Sequence, residues 1–223
     1  MLMTETKHFL PFQFKNGLLA SFLENDYPAQ LHAWDNQPLQ LDNEQASYFA
    51  YIYEGTAEIK TTSGSFKLQA GMYFTAVQTL HLEGSGKAII VEQLHTQSLF
   101  QLGGPVEHTG RLQYIDGCTD SLLIAPVMKG DPCLNLLHIP SGTFQTQHTH
   151  PSFRIGMIIS GTGQCITPSM TYDLKPGLIF CIPKDAKHSF KTTTEDLRVI
   201  AYHPDSDFGP THEEHPMINR TII

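Results

Sequence analysis

The stretch GTAEIKTTSGSFKLQAGMYF, from Gly55 to Phe74, aligns without gaps with GTGQCITPSMTYDLKPGLIF, from Gly161 to Phe180. The offset is 106 residues and seven of 20 positions are identical, whereas unrelated segments match at roughly one or two, given average residue usage. The identical pairs are Gly55/Gly161, Thr56/Thr162, Thr61/Thr167, Ser63/Ser169, Leu68/Leu174, Gly71/Gly177 and Phe74/Phe180. Both copies have the pattern of strands separated by glycine turns, so the chain is predicted to contain a duplicated β-rich unit.

Short runs rich in β-branched and aromatic residues recur outside the repeat, and turn clusters separate them. The runs are Ser47–Tyr53, Ala88–Gln93, Ser121–Met128, Leu134–Ile139, Phe153–Ser160 and Leu197–Tyr202. The sequence GGPVEHTGR, from Gly103 to Arg111, carries the glycine and proline of a boundary. We therefore expect an all-β chain with units at residues 1–105 and 106–223, each the size of a small barrel or jelly roll.

Composition and charge exclude several classes of protein. Twenty-two acidic and 14 basic residues give a net charge of −8, which argues against binding to a nucleic acid backbone. The 40% hydrophobic residues suffice for a folded core, and no apolar run is long enough to span a membrane. The first residues, MLMTETKHFLPF, lack the apolar segment of a signal peptide. These features predict a soluble, cytoplasmic protein.

Four cysteines are too widely spaced for a zinc ribbon, because no CxxC pair occurs. They are Cys118, Cys133, Cys165 and Cys181. In a chain expected in the cytoplasm, buried packing is a better interpretation than a disulfide framework.

Three histidines in the second half are candidate metal ligands. His148 and His150 are two residues apart, so on a strand they would project from the same face. An imidazole from a distant strand, such as His188, could complete a site of three neutral nitrogen donors. Such ligand sets suit Fe, Zn, Ni or Cu and leave coordination positions open for water or substrate.

The histidines and their neighbours resemble the two sequence motifs of the cupin superfamily. The first motif is Gly, five residues, His-x-His, three or four residues, Glu, six residues, Gly; the second is Gly, five residues, Pro-x-Gly, two residues, His, three residues, Asn. The matching positions are Gly142, His148, His150 and Gly161 for the first motif and Gly177, Pro183 and His188 for the second. The resemblance implies a bicupin, a duplicated jelly-roll β-barrel with its metal site in the second half.

One departure from the cupin pattern changes the predicted chemistry. Arg154 stands where the family's metal-binding glutamate is usual, and Asp185 and Thr192 replace the glycine and asparagine of the second motif. Arginine stays protonated and cannot ligate a metal, so the site resembles the three-histidine cupin dioxygenases of the thiol and diketone types. Arg154 is a candidate catalytic residue that could bind a substrate carboxylate. The alternative is that Arg154 faces outward or pairs with an acid such as Asp185.

The corresponding positions of the first half carry a different set of residues. Shifting the motif by 106 residues gives Asp42, Glu44, Tyr48 and Leu82, with His81 one residue out of register. Two carboxylates and an imidazole could hold a metal, but a slip of one residue turns a strand side chain to the opposite face. We therefore expect the first half to be structural.

The tail HPDSDFGPTHEEHP concentrates acids and histidines and is expected to be a solvated surface that could cover a barrel mouth. Its candidate ligands are His203, Asp205, Asp207, His212, Glu213, Glu214 and His215. Aromatic and methionine residues near the histidines in sequence could supply an apolar cavity wall. These are Phe144, Phe153, Met157, Phe180 and Phe190.

The leading functional hypothesis is a metal-dependent cupin enzyme, an Fe(II) dioxygenase acting on a small anionic or enolisable substrate. One divalent transition metal is expected, with Fe(II) favoured over Zn, Ni, Mn or Cu. A metal-dependent isomerase or lyase fits the same residues. The run IPKDAKHSF also resembles the sensing domains of arabinose-type regulators, so a non-catalytic binding cupin is a further alternative. The resemblance allows a homodimer, because cupins often pair through barrel edges.

Overall fold

The strand-forming runs build an almost entirely β structure, a computed structural model that describes residues 8–211, 213 and 222. The strands are β1 (Leu10–Phe12), β2 (Gly17–Ser21), β3 (Ala29–Asp35), β4 (Leu39–Thr61), β5 (Gly64–Gln69), β6 (Tyr73–Leu94), β7 (Gln101–Gly103), β8 (Leu112–Gln113), β9 (Thr119–Ile124), β10 (Cys133–Ile139), β11 (Arg154–Ser160), β12 (Gly163–Ile166), β13 (Thr171–Leu174), β14 (Ile179–Ile182), β15 (Ser189–Lys191) and β16 (Leu197–His203). A 3-10 turn, Ile115–Gly117, precedes β9. Within these described residues, no helix has the length and apolar character needed to cross a membrane. The all-β prediction is confirmed.

Three antiparallel sheets make up the fold. The first half forms a six-stranded sheet in the order β2-β3-β6-β4-β5, with β7 added against β6. The second half combines a seven-stranded sheet, β1-β14-β11-β16-β10-β9-β8, with a three-stranded sheet, β13-β12-β15. These paired sheets give the second half the jelly-roll barrel that the sequence predicts. The predicted run Ser121–Met128 ends early, at Ile124, because Pro126 has no N–H group for a ladder.

The two copies of the repeat form hairpins in the same register. Ala57 pairs with Leu68 in the β4–β5 hairpin, and Gly163 pairs with Leu174 in the β12–β13 hairpin. Each residue of the second pair lies 106 positions after its counterpart, which is the offset of the sequence alignment. This agreement supports the duplication, which stays a prediction.

The same turn geometry follows the hairpin in each copy of the repeat. Gly71 and Gly177 have φ values of 88° and 87°, in the left-handed region that favours glycine. The Gly71 N–H donates to the Ile52 carbonyl at 2.8 Å, and the Gly177 N–H donates to the Ile158 carbonyl at 2.9 Å. The identical glycines of the repeat therefore occupy equivalent backbone positions.

Buried apolar side chains form three clusters. One lies inside the first half around Trp34, one lies inside the second half around Phe180, and the third joins the two halves. In the joining cluster, the rings of Phe49 and Tyr202 lie 5.1 Å apart between centroids. All four cysteines are buried and free, as predicted.

The buried hydroxyl of Tyr202 donates to Gln93 Oε1 at 2.6 Å across this joining cluster. We expect Tyr202→Phe to lower the free energy of unfolding by about 1–3 kcal/mol, because it leaves a buried acceptor without a donor. Tyr172→Phe is the matched control, because the Tyr172 hydroxyl has no hydrogen-bond partner in the described part of the chain. Urea denaturation of both variants checks this prediction, and equal losses would contradict it.

The first strand of the chain belongs to the sheet of the second half. Leu10–Phe12 pair with Ile179–Cys181 along the edge of β14. Just before β1, the ring of Phe9 lies 4.9 Å from that of Phe180 and 4.7 Å from that of Tyr172. This pairing could not be predicted from the sequence, since β1 is only three residues long.

Candidate metal centre

Backbone pairing brings the two motifs together. The His148 N–H donates to the His188 carbonyl at 2.9 Å, and the His188 N–H donates to the His148 carbonyl at 3.0 Å. This isolated bridge lies outside the named strands, and the Asp185 N–H donates to the His150 carbonyl at 2.9 Å. The segment carrying His148 and His150 is therefore irregular rather than a regular strand, and it faces the turn before β15.

The three predicted histidines converge on one point. Their ring centroids lie 5.0 Å apart for His148 and His150, 4.6 Å for His148 and His188, and 5.2 Å for His150 and His188. One nitrogen from each ring lies within 4.8 Å of the others. Nitrogens bound to one ion at about 2.0–2.1 Å lie about 3–3.5 Å apart, which is inside this limit, so the three rings are close enough to share one ion after a small adjustment.

Hydrogen bonds to main-chain carbonyls orient two of the rings. Nδ1 of His148 lies 2.9 Å from the Thr146 carbonyl, and Nδ1 of His188 lies 2.9 Å from the Ala186 carbonyl. A carbonyl only accepts, so Nδ1 carries the proton and Nε2 keeps its lone pair. Metal-binding histidines commonly have this second interaction, which fixes the tautomer.

Burial keeps two of the imidazoles neutral. It lowers the pKa of His150 to about 3, and the charge of Arg154 adds to the effect. Burial also lowers the pKa of His188 to about 4, although the Ala186 carbonyl acts in the opposite direction. Neutral imidazoles are the form that binds a metal, so these two rings are available as donors at neutral pH.

Arg154 begins β11 and points into the cavity beside the histidines. Only 9% of the residue is exposed. Its Nη1 donates to Asp205 Oδ1 at 3.0 Å, to the Phe153 carbonyl at 3.1 Å and to Ser152 Oγ. Its Nε has no hydrogen-bond partner within the described residues. The acid that pairs with Arg154 is Asp205, whereas Asp185 is exposed.

The histidines and Arg154 line a cavity of about 260 Å³. Its apolar wall includes Phe180, Phe190 and Val199. A Cβ at Gly156 would lie 2.3 Å from the Phe180 ring, so this glycine on β11 makes room for the aromatic wall. The cavity can therefore hold a small ligand beside the histidines.

The other predicted wall residues lie elsewhere. Phe144 is exposed, while Phe153 and Met157 pack in the cluster that joins the two halves. Cys165 and Cys181 are buried in the apolar clusters. Strand alternation alone could not assign these positions, because β11 is buried on both faces.

An outer cavity of about 550 Å³ adjoins the first. Both cavities are lined by Leu112, Asp120, Asn135, Arg154 and His203. The segment from Asp205 to Phe208 lines the outer one, so this part of the tail lies beside the barrel mouth. His212, Glu214 and His215 lie outside the described residues.

Sequence reasoning missed several polar residues of the inner cavity. They are Tyr114, Asp120, Asn135 and Gln145. The Gln145 side chain accepts from the Phe190 N–H at 3.1 Å and lies 3.3 Å from the Cys118 sulfur. One feature of the sequence could have indicated them: Asn135 is a polar residue inside the mostly apolar strand β10.

The first-half positions do not form a comparable cluster. Tyr48 and Leu82 are buried in the core, whereas Asp42 and Glu44 are exposed. Across the described residues, the three second-half histidines are the group of potential ligands whose atoms lie close enough to share an ion.

Comparisons with known proteins agree with this fold. Residues 135–203 match the family model described as a cupin domain. Residues 135–203 therefore resemble a cupin domain, and the whole chain has the fold of solved cupin structures. More narrowly, the matched region runs from β10 to β16 and contains all three histidines. A search of curated proteins gives no significant match.

Three solved structures illustrate the likeness. A putative glyoxylate-induced protein from Pseudomonas aeruginosa is 10% identical, with a TM-score of 0.67 and 92% of each chain covered. The oxalate decarboxylase of Bacillus subtilis, described with Mn(II) centres, is 13% identical, with a TM-score of 0.56 and coverage of 93% of this chain and 80% of that one. Salicylate 1,2-dioxygenase from Pseudaminobacter salicylatoxidans is 10% identical, with a TM-score of 0.58 and coverage of 80% and 70%. At these identities the comparisons establish the fold.

Proposed function

We propose that this chain is a metal-dependent cupin enzyme, a three-histidine Fe(II) dioxygenase that acts on a small anionic or enolisable substrate. The observation that carries the proposal is the convergence of His148, His150 and His188 beside a buried arginine. Cupins host many functions, so the argument depends on the site rather than on the fold.

The donor set fits a divalent transition metal. His148, His150 and His188 would hold it through neutral nitrogens, and Fe(II) is favoured over Mn, Ni, Cu or Zn for oxygen chemistry. When bound, such a metal supplies redox and Lewis-acid chemistry at its open positions. The relatives named above include a dioxygenase and a decarboxylase with Mn(II) centres, which supports metal-dependent chemistry in this fold.

Arg154 would bind the negative group of the substrate. Asp205 and Ser152 hold Nη1, so the guanidinium is fixed while its other nitrogens make no hydrogen bond to a described residue. The three histidines are neutral as metal ligands, and Arg154 stands at the position where cupins usually carry a glutamate. The cavity therefore has a positive rather than a negative group at this position, which favours binding of an anionic ligand. The apolar wall limits water around that ligand and strengthens the charge interaction.

Metal analysis of the purified protein tests this proposal. We expect near-stoichiometric iron after purification without chelators or an affinity-tag metal, and oxygen consumption with a member of a panel of small carboxylates, thiols and diketones. The panel includes salicylate, and also gentisate, which is bound in a variant of the salicylate dioxygenase. Stoichiometric zinc without oxygen consumption would favour an isomerase or lyase. Protein that stays without metal after reconstitution would contradict the proposal and favour a binding or sensor cupin.

A carboxylate outside the cavity supports one of the ligands. Asp116, in the turn before β9, accepts from the Thr146 N–H at 2.6 Å and from its hydroxyl at 3.2 Å, and Thr146 holds His148. We expect Asp116→Gly to weaken Zn²⁺ binding about 10-fold, the lower end for loss of an outer contact. Glycine suits the φ of 54° at this position, so strain does not confuse the result.

Isothermal titration calorimetry measures the Zn²⁺ affinity of Asp116→Gly against two controls. Asp116→Asn keeps an acceptor for the Thr146 N–H and should bind nearly as tightly as the parent. Asp131→Gly removes another turn aspartate, which accepts from the Met128 N–H at 2.9 Å and lines neither cavity. An equal loss in Asp131→Gly would mean that the effect is general destabilisation.

A further inference from the structure

Asp120 is a partly buried acid in the wall of the cavity that the proposed function does not use. It lies on β9 between Leu112 of β8 and Leu137 of β10, so its strand neighbours are apolar. It lines both the inner and the outer cavity. A carboxylate placed there loses hydration, which requires a compensating partner or a functional reason.

Few interactions with other residues offset the lost hydration of the Asp120 carboxylate. Asn135 Nδ2 donates to Asp120 Oδ1 at 2.9 Å, and Oδ2 accepts no hydrogen bond from any residue that the structure describes. The nearby cation, Arg154, is already paired with Asp205. Asp120 therefore has one neutral donor and no cation of its own.

Burial raises the pKa of Asp120 to about 7, and the hydrogen bond from Asn135 opposes this only in part. The carboxyl is therefore mostly ionised at pH 8 and mostly protonated at pH 6. The other titratable or charged groups that face the two cavities are Tyr114, Cys133, His148, His150, Arg154, His188, His203, Asp205 and Asp207. Burial raises the pKa of Tyr114 and Cys133 and lowers that of His203, which keeps these three groups neutral near pH 7.

Asn135 can serve either protonation state of this acid. Its amide carries two N–H donors and a carbonyl acceptor, so rotation of the amide presents an acceptor to a protonated carboxyl. The Asn135 Oδ1 atom is buried and has no partner among the described residues. A proton on Asp120 would therefore give this oxygen a donor.

We propose that Asp120 is the proton acceptor of the inner cavity and takes the proton of an O–H or N–H group on a ligand bound at the three histidines. The O–H or N–H bond of the ligand breaks, and its oxygen or nitrogen keeps the electron pair. The proton forms a new O–H bond with Asp120, so one negative charge moves from the carboxylate to the ligand. The inference rests on the proposed function only for the place where the ligand binds.

Proton counting on Zn²⁺-loaded protein tests the proposal without any activity assay. The probe is acetohydroxamic acid, which gives up a proton when it binds a metal. Calorimetry in two buffers with different ionisation enthalpies measures the protons released to solvent. At pH 8 we expect Asp120→Asn to release about one proton more per bound probe than the parent, because Asp120 no longer accepts it.

Two further measurements keep the test decisive. Proton release by the parent should also depend on pH. At pH 6, where Asp120 is already protonated, the parent should release about as many protons as Asp120→Asn, whereas at pH 8 it should release about one fewer. Asp173→Asn, which changes an exposed aspartate on β13, should match the parent at both pH values.

The outcomes separate the two proposals. Parent protein that binds neither Zn²⁺ nor the probe would overturn the metal centre, and the role of Asp120 with it. Parent protein that binds both, with proton release equal to that of Asp120→Asn at pH 8, would overturn the role of Asp120 alone. Should Asp120→Asn fail to fold, equal proton release by the parent at pH 6 and pH 8 would overturn it too.

Discussion

His148→Ala is expected to abolish near-stoichiometric metal binding and to weaken Zn²⁺ affinity by at least about 100-fold. Loss of a contact that only orients a ligand costs about 10–100-fold, and His148→Ala removes a ligand itself. Two remaining imidazoles, with no carboxylate at the position of Arg154, make a poor site. His148 is only partly buried, so its replacement leaves the fold intact.

Metal analysis and calorimetry measure the effect, and His81→Ala provides the matched control. His81 is also partly buried, but it lies on β6 in the first half and pairs with Gln40. The control should keep the metal content and affinity of the parent. Unchanged metal content in His148→Ala would place the ion elsewhere, and equal losses in both variants would indicate misfolding.

Arg154→Gln should weaken binding of an anionic ligand about 10- to 100-fold while the metal content stays that of the parent. A hydrogen bond to a charged group contributes about 1.5–3 kcal/mol, and glutamine keeps the polarity of the side chain without its charge. Arg154→Lys should lose less than Arg154→Gln, because lysine keeps the charge but not the planar arrangement of donors. In steady-state kinetics with the carboxylate substrate from the oxygen screen, the loss should appear mainly in KM.

The ion pair with Asp205 requires its own control. Arg154→Gln leaves the half-buried Asp205 carboxylate without its cation, which costs stability. The double variant Arg154→Gln/Asp205→Asn removes both charges and should regain stability without regaining ligand affinity. Arg111→Gln changes an exposed arginine paired with Glu107 and should behave as the parent. A double variant with restored affinity would refute the anchoring role of Arg154.

The fold was predictable because its main features are local. The glycines at positions 71 and 177 lie in turns with a left-handed backbone, and the runs around them are rich in strand-forming residues. The histidine cluster was predictable in the same way, from spacing and from the resemblance to the cupin motifs. The backbone bridge between His148 and His188, which brings the two motifs together, supplied geometry that spacing alone could not.

The rest of the site depends on contacts between distant residues. Asp205, 51 residues after Arg154, determines how the guanidinium is held, and no local pattern relates the two. Asp120 and Asn135 were missed for a similar reason, because a single polar residue in a strand is usually on the solvated face. Both residues line the cavity, and the hydrogen bond between their side chains joins the neighbouring strands β9 and β10.

The position of the short strand β1 matters for the design of fragments that contain only one half of the protein. Because Leu10–Phe12 complete the edge of β14 and Phe9 packs on the cavity residue Phe180, the opening residues of the chain are a component of the C-terminal barrel. A fragment that starts at residue 106 would leave a bare strand edge and an unsupported aromatic ring in the histidine-lined cavity. The two halves are interlocked in the manner of an intramolecular strand donation, and a fragment that retains this cavity wall must include residues 9–12.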